Sequence, residues 1–167
     1  MSKRAGIILV NYKDYAKKFL QECRDSLRQQ SYPNFSIYII DNSSSEETRQ
    51  YLAKNYPEAR ILPRHNGNYA AANNKGIRRA MNDGCDYLVI ANMDTKFDPN
   101  WLSELVKAWE EKQDAGMVQS KIMIYPKEGD KAKINSLGNI QHFLGFGFTD
   151  GYMEEDKEIV GLPEIKG

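Results

Sequence analysis

Tyr87-Leu88-Val89-Ile90-Ala91-Asn92-Met93-Asp94-Thr95 decides how the rest of the chain is read. An apolar run leads straight into a carboxylate with polar neighbours, and Asp98-Pro99 then turns the chain toward a helix. A short continuous apolar run bounded by turn residues suits a strand buried on both faces of a parallel sheet. An acid at the carboxyl end of such a strand faces the crevice where open α/β sheets bind ligands. Taken singly, Asp94 fits a turn as well as a ligand. Its meaning depends on what the other strand ends carry.

The same rhythm repeats outward from this stretch. Gly6-Ile7-Ile8-Leu9-Val10 reads as a first buried strand, followed by a helix over 14–29 with Phe19, Leu20, Cys23 and Leu27 at helical spacing. Phe35–Ile40 reads as a second strand ended by Asp41-Asn42-Ser43, and Ser44 with Glu47 forms a capping box for the next helix. Arg60-Ile61-Leu62 is a short third strand. Residues 69–82 predict a helix with Ile77, Ala80 and Met81 on its apolar side, closed by Asp83-Gly84. The fourth strand is 87–91. Asp98 is the expected N-cap of the following helix and Pro99 its first residue, with Trp101, Leu102, Leu105, Val106 and Trp109 as the buried stripe. Four βα units in series predict an α/β fold with a mostly parallel sheet and helices on both faces. Beyond 115 the period changes. Residues 117–124 alternate like a strand, and the Gly- and aromatic-rich segment 134–153 is expected to supply strands and loops that extend the sheet. Glu154–Glu158 reads as a solvated charge run.

Composition narrows the function. The 167 residues suit one domain, and Lys+Arg and Asp+Glu are each 23, so the net charge is zero. That balance argues against a nucleic-acid surface. No apolar run approaches the roughly 18 residues of a membrane helix, and the basic start Met1-Ser2-Lys3-Arg4 precedes a strand rather than a signal peptide. A cytoplasmic protein is expected, at most peripheral at the inner face of a membrane. Cys23 and Cys85 read as reduced packing residues, since no CxxC motif is present. His65 and His142 are too few and too far apart in sequence for a zinc site.

The expected strand ends carry Asn11, Asp41-Asn42-Ser43, Asn66-Gly67-Asn68, and Asn92 with Asp94. This row of carboxylates and amides lacks a base or a nucleophile. It suits hydroxyls, imide N–H groups and a hard cation. GxGxxG and GxxxxGK[ST] phosphate loops are absent, and a Ser-His-Asp arrangement has no support.

Four of these motifs, in order, resemble the family 2 glycosyltransferases of GT-A fold: Ile7–Tyr12, Ile39–Ser44, Asn66–Gly76 and Ala91–Thr95. The similarity covers nearly the whole chain and is strongest to the bacterial rhamnosyltransferase-like branch. It implies a GT-A Rossmann-like three-layer sandwich that binds a nucleotide-diphosphate sugar, UDP- or dTDP-linked, with Mg²⁺ or Mn²⁺. It also implies inverting transfer of a hexosyl or deoxyhexosyl group to a glycan or lipid-linked sugar acceptor in polysaccharide biosynthesis. By the resemblance, Asp41 receives hydrogen bonds from the base or ribose. Asp94 is the last acid of the DxD-type motif and holds the metal, and Asn92 takes the motif's first position. Asn66, Gly67 and Tyr69, with Asn73 and Asn74, line the donor pocket. Asn11 and Asn42 complete the nucleotide-sugar set.

Two departures qualify the resemblance. Asn92 leaves a single carboxylate in the metal motif. The acids Glu154, Glu155 and Asp156 do not match the family's catalytic base, so no base is assigned. Residues 1–167 are therefore expected to form one donor-binding GT-A domain without the acceptor half. The alternative is a non-catalytic nucleotide-binding or assembly module that joins a complex or a dimer, a homodimer among them, through the aromatic 143–152 segment. A nucleotidyltransferase is weaker, because Asn11-Tyr12-Lys13-Asp14 is not a Gly-rich basic loop.

Overall fold

A computed structural model of the chain describes residues 2–42, 44–65, 67–112, 114–125, 131–141, 143–144 and 146–156. The chain divides into two compact units at Ser103/Glu104. The first contains β1 (Ala5–Tyr12), α1 (Tyr15–Arg28), β2 (Phe35–Asn42), α2 (Glu46–Asn55), β3 (Arg60–Arg64), α3 (Tyr69–Asn82) and β4 (Tyr87–Ala91). The boundary falls within α4 (Trp101–Glu111).

The four strands form one parallel sheet in the order β3-β2-β1-β4. The chain steps outward from β1 through β2 to β3, then crosses back to lay β4 on the other side of β1. That reversal makes a topological switch point, where strand ends diverge and leave a crevice. Side chains alternate faces along each strand. Ile8, Tyr38 and Ile40 pack with Ala72 and Ala80 of α3, while Val10, Leu62, Ile77 and Leu88 complete that layer. Ile7, Leu9, Ile37 and Ile39 are buried on the other face, on the side of α1, whose buried stripe is Ala16, Leu20, Cys23 and Leu27.

α3 lies unusually close to the sheet because of what it lacks. A Cβ at Gly76 would stand 2.5 Å from Ile8 Cγ2 and 3.1 Å from Ile40 Cδ1. One at Gly6 would meet the Ala80 Cβ at 2.8 Å.

The structure corrects several sequence expectations. Asn11, Asp41 and Asn42 lie inside their strands rather than after them, because the hydrogen-bonded ladder runs on through polar residues. α2 is capped by Ser45, whose Oγ accepts the Thr48 N–H at 3.2 Å, not by Ser44; Glu47 instead pairs with Lys17 of α1 at 2.8 Å. Met81 is 58% exposed, since Asn73, Gly76 and Ala80 take the buried side of α3. α4 begins at Trp101 rather than at Pro99, so Asp98 sits in the turn before it, its Oδ1 accepting the Asn100 N–H at 2.8 Å.

In the second unit the expected strand over 117–124 is reduced to β5 (Ile122–Ile124), which pairs antiparallel with β6 (Lys133–Ser136). β7 (Asn139–Gln141) and β8 (Gly147–Thr149) form another antiparallel pair. Among the described residues these strands pair with each other and do not extend the parallel ladder. The described part of the charge run, 154–156, is exposed, as expected. The Glu154 carbonyl accepts the Ile134 N–H at 2.9 Å, and Glu155 and Asp156 pair with Lys131 and Lys121. Residues 157 and 158 of that run lie outside the described residues. No described helix is long and apolar enough to cross a membrane.

Gly76→Val should lower stability by roughly 1–3 kcal/mol or more, the usual cost of overpacking, read as a lower urea midpoint. Gly116→Ala, where an added Cβ meets nothing within 4 Å, is the control and should stay near wild type. A Gly76→Val midpoint equal to the control would refute the close seating of α3.

Candidate functional site

A cavity of about 440 Å³ opens at the carboxyl ends of the parallel strands. Val10, Tyr12 and Tyr15 line it from β1 and the start of α1, and Asn42 from the end of β2. Gly67 and Tyr69 line it from the entry to α3, and Asn92, Met93 and Asp94 from the segment after β4.

These groups are fixed to one another. Asn42 Nδ2 donates to the Gly67 carbonyl at 2.8 Å, and Asn42 Oδ1 accepts from Arg64 Nη1 at 3.1 Å. The Arg64 guanidinium crosses Gly67 so closely that a Cβ there would lie 1.7 Å from Nη1. Asn68 caps α3, its Oδ1 accepting the Ala71 N–H at 2.8 Å. The positive end of a 14-residue helix therefore opens beside the cavity, where unpaired N–H groups and the helix dipole favour an anion. Tyr69 Oη donates to Asn92 Oδ1 at 2.8 Å, joining α3 to the segment after β4.

Met93 is buried and pins that segment, which leaves Asn92 and Asp94 exposed on either side of it. Asp94 has neither a hydrogen bond nor an ion pair among the described residues. Its carboxylate lines the cavity unengaged.

Other residues expected at the site are placed elsewhere. Strand alternation turns Asp41 to the face opposite Asn42, and it does not line the cavity. It is 1% exposed, accepts from Asn11 Nδ2 at 2.9 Å, and lies 3.3 Å from Arg49 Nε of α2. Asn11 is also buried away from the cavity, and its Oδ1 accepts the Ala16 N–H at 2.9 Å. The α1 cap residue Asp14 makes no side-chain cap bond, so Asn11 supplies that acceptor from the neighbouring strand. Asn73 is buried within α3; its Nδ2 donates to the Tyr69 carbonyl at 3.1 Å, and its Oδ1 has no partner among the described residues. Asn74 is exposed on α3 outside the cavity lining. Asn66 lies outside the described residues.

Sequence reasoning missed Val10, Tyr12, Tyr15 and Met93. Alternation was the available signal for two of them, because Val10, Tyr12 and Asn42 fall on one face in register. Tyr12 and Tyr15, 44% and 41% exposed, offer flat rings at the cavity. Arg64 ends β3 and braces Asn42.

Among the described residues no three His, Cys, Asp or Glu side chains come together to hold a metal ion. Asp94 alone still fits a hard cation of the Mg²⁺ type, which takes one or two protein carboxylates and completes its shell with phosphate and water oxygens.

Residues 6–160 match the sequence profile of Glycosyl transferase family 2. The chain belongs to this family. It is 30% identical to protein CgeD of Bacillus subtilis over 132 residues, 72% of this chain and 30% of that one. It is also 30% identical to the O-antigen biosynthesis protein RfbC of Myxococcus xanthus, over 70% of this chain and 9% of RfbC. The chain thus spans under a third of the curated relatives it matches. Among solved structures it resembles S. aureus TarS in complex with UDP-GlcNAc, with a TM-score of 0.53 and 17% identity over 71% of this chain and 38% of that one. The mannosyltransferase PcManGT from Pyrobaculum calidifontis, solved with GDP-Man and Mn²⁺, has a TM-score of 0.50 and 21% identity over 62% of this chain and 31% of that one. The mixed α/β fold with its parallel four-stranded sheet is that of GT-A glycosyltransferases.

Behind the cavity, burial and then the Asp94 charge push the Cys23 thiol up to about 12. Burial also pushes the Tyr38 and Tyr56 hydroxyls upward. Groups raised in the folded state stabilise it fully below their unfolded values, and that stability is lost as pH rises toward the folded ones. For Cys23 the window runs from the ordinary 9.0 to about 12. Stability should fall across this window in urea titrations. In Cys23→Ala the fall should be shallower by up to about 1.4 kcal/mol per pH unit; an unchanged slope would contradict the buried, neutral thiol.

Proposed function

We propose that this chain is the donor-binding part of a glycosyltransferase that builds a bacterial polysaccharide, with a UDP- or dTDP-linked sugar held at the carboxyl ends of the sheet. The observation that carries the reading is the unengaged Asp94 carboxylate in a cavity that also receives the amino end of α3. An acid and a helix N-terminus on one cavity suit a ligand that is itself anionic and brings a cation with it.

In this reading Asp94 holds Mg²⁺ or Mn²⁺ together with the diphosphate. The ion, when bound, neutralises the charge that develops as the sugar leaves. The amino end of α3 favours the same diphosphate charge, and Tyr12 and Tyr15 flank the planar base. Asn42 and Gly67, joined by their hydrogen bond, form the wall against the nucleoside. The contact with base or ribose that the resemblance assigns to Asp41 requires Arg49 to move off its outer oxygen. Arg49 is 38% exposed and held by contacts of 3.3–3.4 Å to Asp41, Glu46 and the Ser44 carbonyl, and the ligand's own hydrogen bonds must replace it beside the buried carboxylate. The RfbC relative, named for O-antigen biosynthesis, supports a polysaccharide product. The acceptor is then a glycan or a lipid-linked sugar.

A second reading is a nucleotide-binding module without catalysis. One observation favours it: among the described residues Asp94 is the only carboxylate lining the cavity, and no histidine joins it. Inverting transfer needs a base within hydrogen-bond reach of the acceptor hydroxyl. Sugar transfer or donor hydrolysis by the chain would count against the second reading.

Calorimetric titration with UDP in the presence of Mn²⁺ should show saturable binding. Asp94→Ala should weaken it at least about tenfold, or 1.4 kcal/mol. Absence of binding by wild type, or equal binding by the variant, would overturn the donor reading.

A further inference from the structure

Asn92 stands two residues before Asp94 and carries an amide oxygen that a hard cation could use. That oxygen is already engaged by the Tyr69 hydroxyl at 2.8 Å. The donor comes from a well-fixed place. Tyr69 begins α3, the Asn68 cap orders that turn, and Asn73 Nδ2 holds the Tyr69 carbonyl from the next turn at 3.1 Å. Tyr69 and Asn92 are both exposed and both line the cavity, so their bond bridges its rim. Asp94 lies beside this bridge without a partner among the described residues.

We propose that Tyr69 is a positioning residue that withholds Asn92 from the metal, so that the cation binds only after the nucleotide. The inference rests on the donor reading above. With the amide oxygen turned to the Tyr69 hydroxyl, the protein offers the ion a single carboxylate. Mg²⁺-type ions give up water reluctantly, and one exposed carboxylate is a poor exchange for it. The diphosphate supplies the missing oxygens, and the site becomes complete only when nucleotide is bound. An aspartate at 92 would carry a second charge into the same position and relieve this dependence.

Four chains test the idea: wild type, Tyr69→Phe, Asn92→Asp and the double variant Tyr69→Phe/Asn92→Ala. Mn²⁺ binding is followed by its electron paramagnetic resonance signal and by water proton relaxation, which separates protein-bound Mn²⁺–UDP from the free complex. Wild type should leave Mn²⁺ free without UDP and bind it once UDP is present. Asn92→Asp should bind Mn²⁺ without UDP at least tenfold more tightly than wild type does. Tyr69→Phe releases the Asn92 oxygen and should tighten Mn²⁺ on the UDP-loaded chain about three- to tenfold, the worth of one neutral hydrogen bond. The double variant Tyr69→Phe/Asn92→Ala should lose that gain, which a merely structural role for Tyr69 would not produce. Equal Mn²⁺ binding by wild type with and without UDP, or unchanged or weaker binding in Tyr69→Phe, overturns the inference while leaving UDP binding intact. Failure of UDP itself to bind, measured by calorimetry, overturns the donor reading and this inference together.

Discussion

The close seat of α3 on β1 and β2 is the constraint from which the site follows. A helix settles on a sheet at a distance set by the side chains between them. Here Gly76 places none between α3 and Ile8, and Gly6 and Ala80 repeat the economy one turn along. The same helix carries its amino end to the cavity, with Asn68 capping it and Gly67 and Tyr69 turned inward. A glycine in mid-helix costs roughly 0.5–1 kcal/mol relative to alanine. The packing of Ile8, Ile40 and Tyr38 against α3 offsets it.

The polar row at the strand ends serves two purposes, divided by the pleat. A one-residue step along a strand moves a side chain to the other face. Asp41 and Asn11 therefore meet each other on the α1 side, while Asn42 and Tyr12 reach the cavity on the α3 side. The buried pair ties β1, β2 and the first turn of α1 into one block. A buried carboxylate is costly unless it is hydrogen-bonded and paired, and Asn11 and Arg49 supply those partners. The exposed set is braced differently, by Arg64 on Asn42 and by Tyr69 on Asn92. Asp94 alone is left without such a brace among the described residues.

The βα frame was legible because long apolar runs and helical spacing are strong local signals. Helix 69–82 and strand 87–91 were read to the residue. The failures have physical causes. Asn11, Asp41 and Asn42 look like strand terminators, yet the parallel ladder to their neighbours carries them on as strand. Ser44 and Ser45 are equivalent in composition, and only backbone geometry chooses the cap. Alternation over 117–124 and the aromatic 134–153 segment predict strands without naming their partners; β5 pairs with β6 and β7 with β8. Asp94 and Asn92 were found by their place after β4. Tyr12 and Tyr15 carry no such signal, because only the fold brings the end of β1 and the start of α1 to the cavity.

The central claim is that the cavity holds a nucleotide diphosphate with its cation on Asp94. Diffraction from crystals soaked with UDP and Mn²⁺, with the manganese located by its anomalous signal, tests this most directly. The predicted result is a manganese ion ligated by the Asp94 carboxylate and the diphosphate, with the base between the walls formed by Tyr12 and Asn42. Nucleotide bound away from this cavity, or bound within it while Asp94 stays clear of the ion, would contradict the claim.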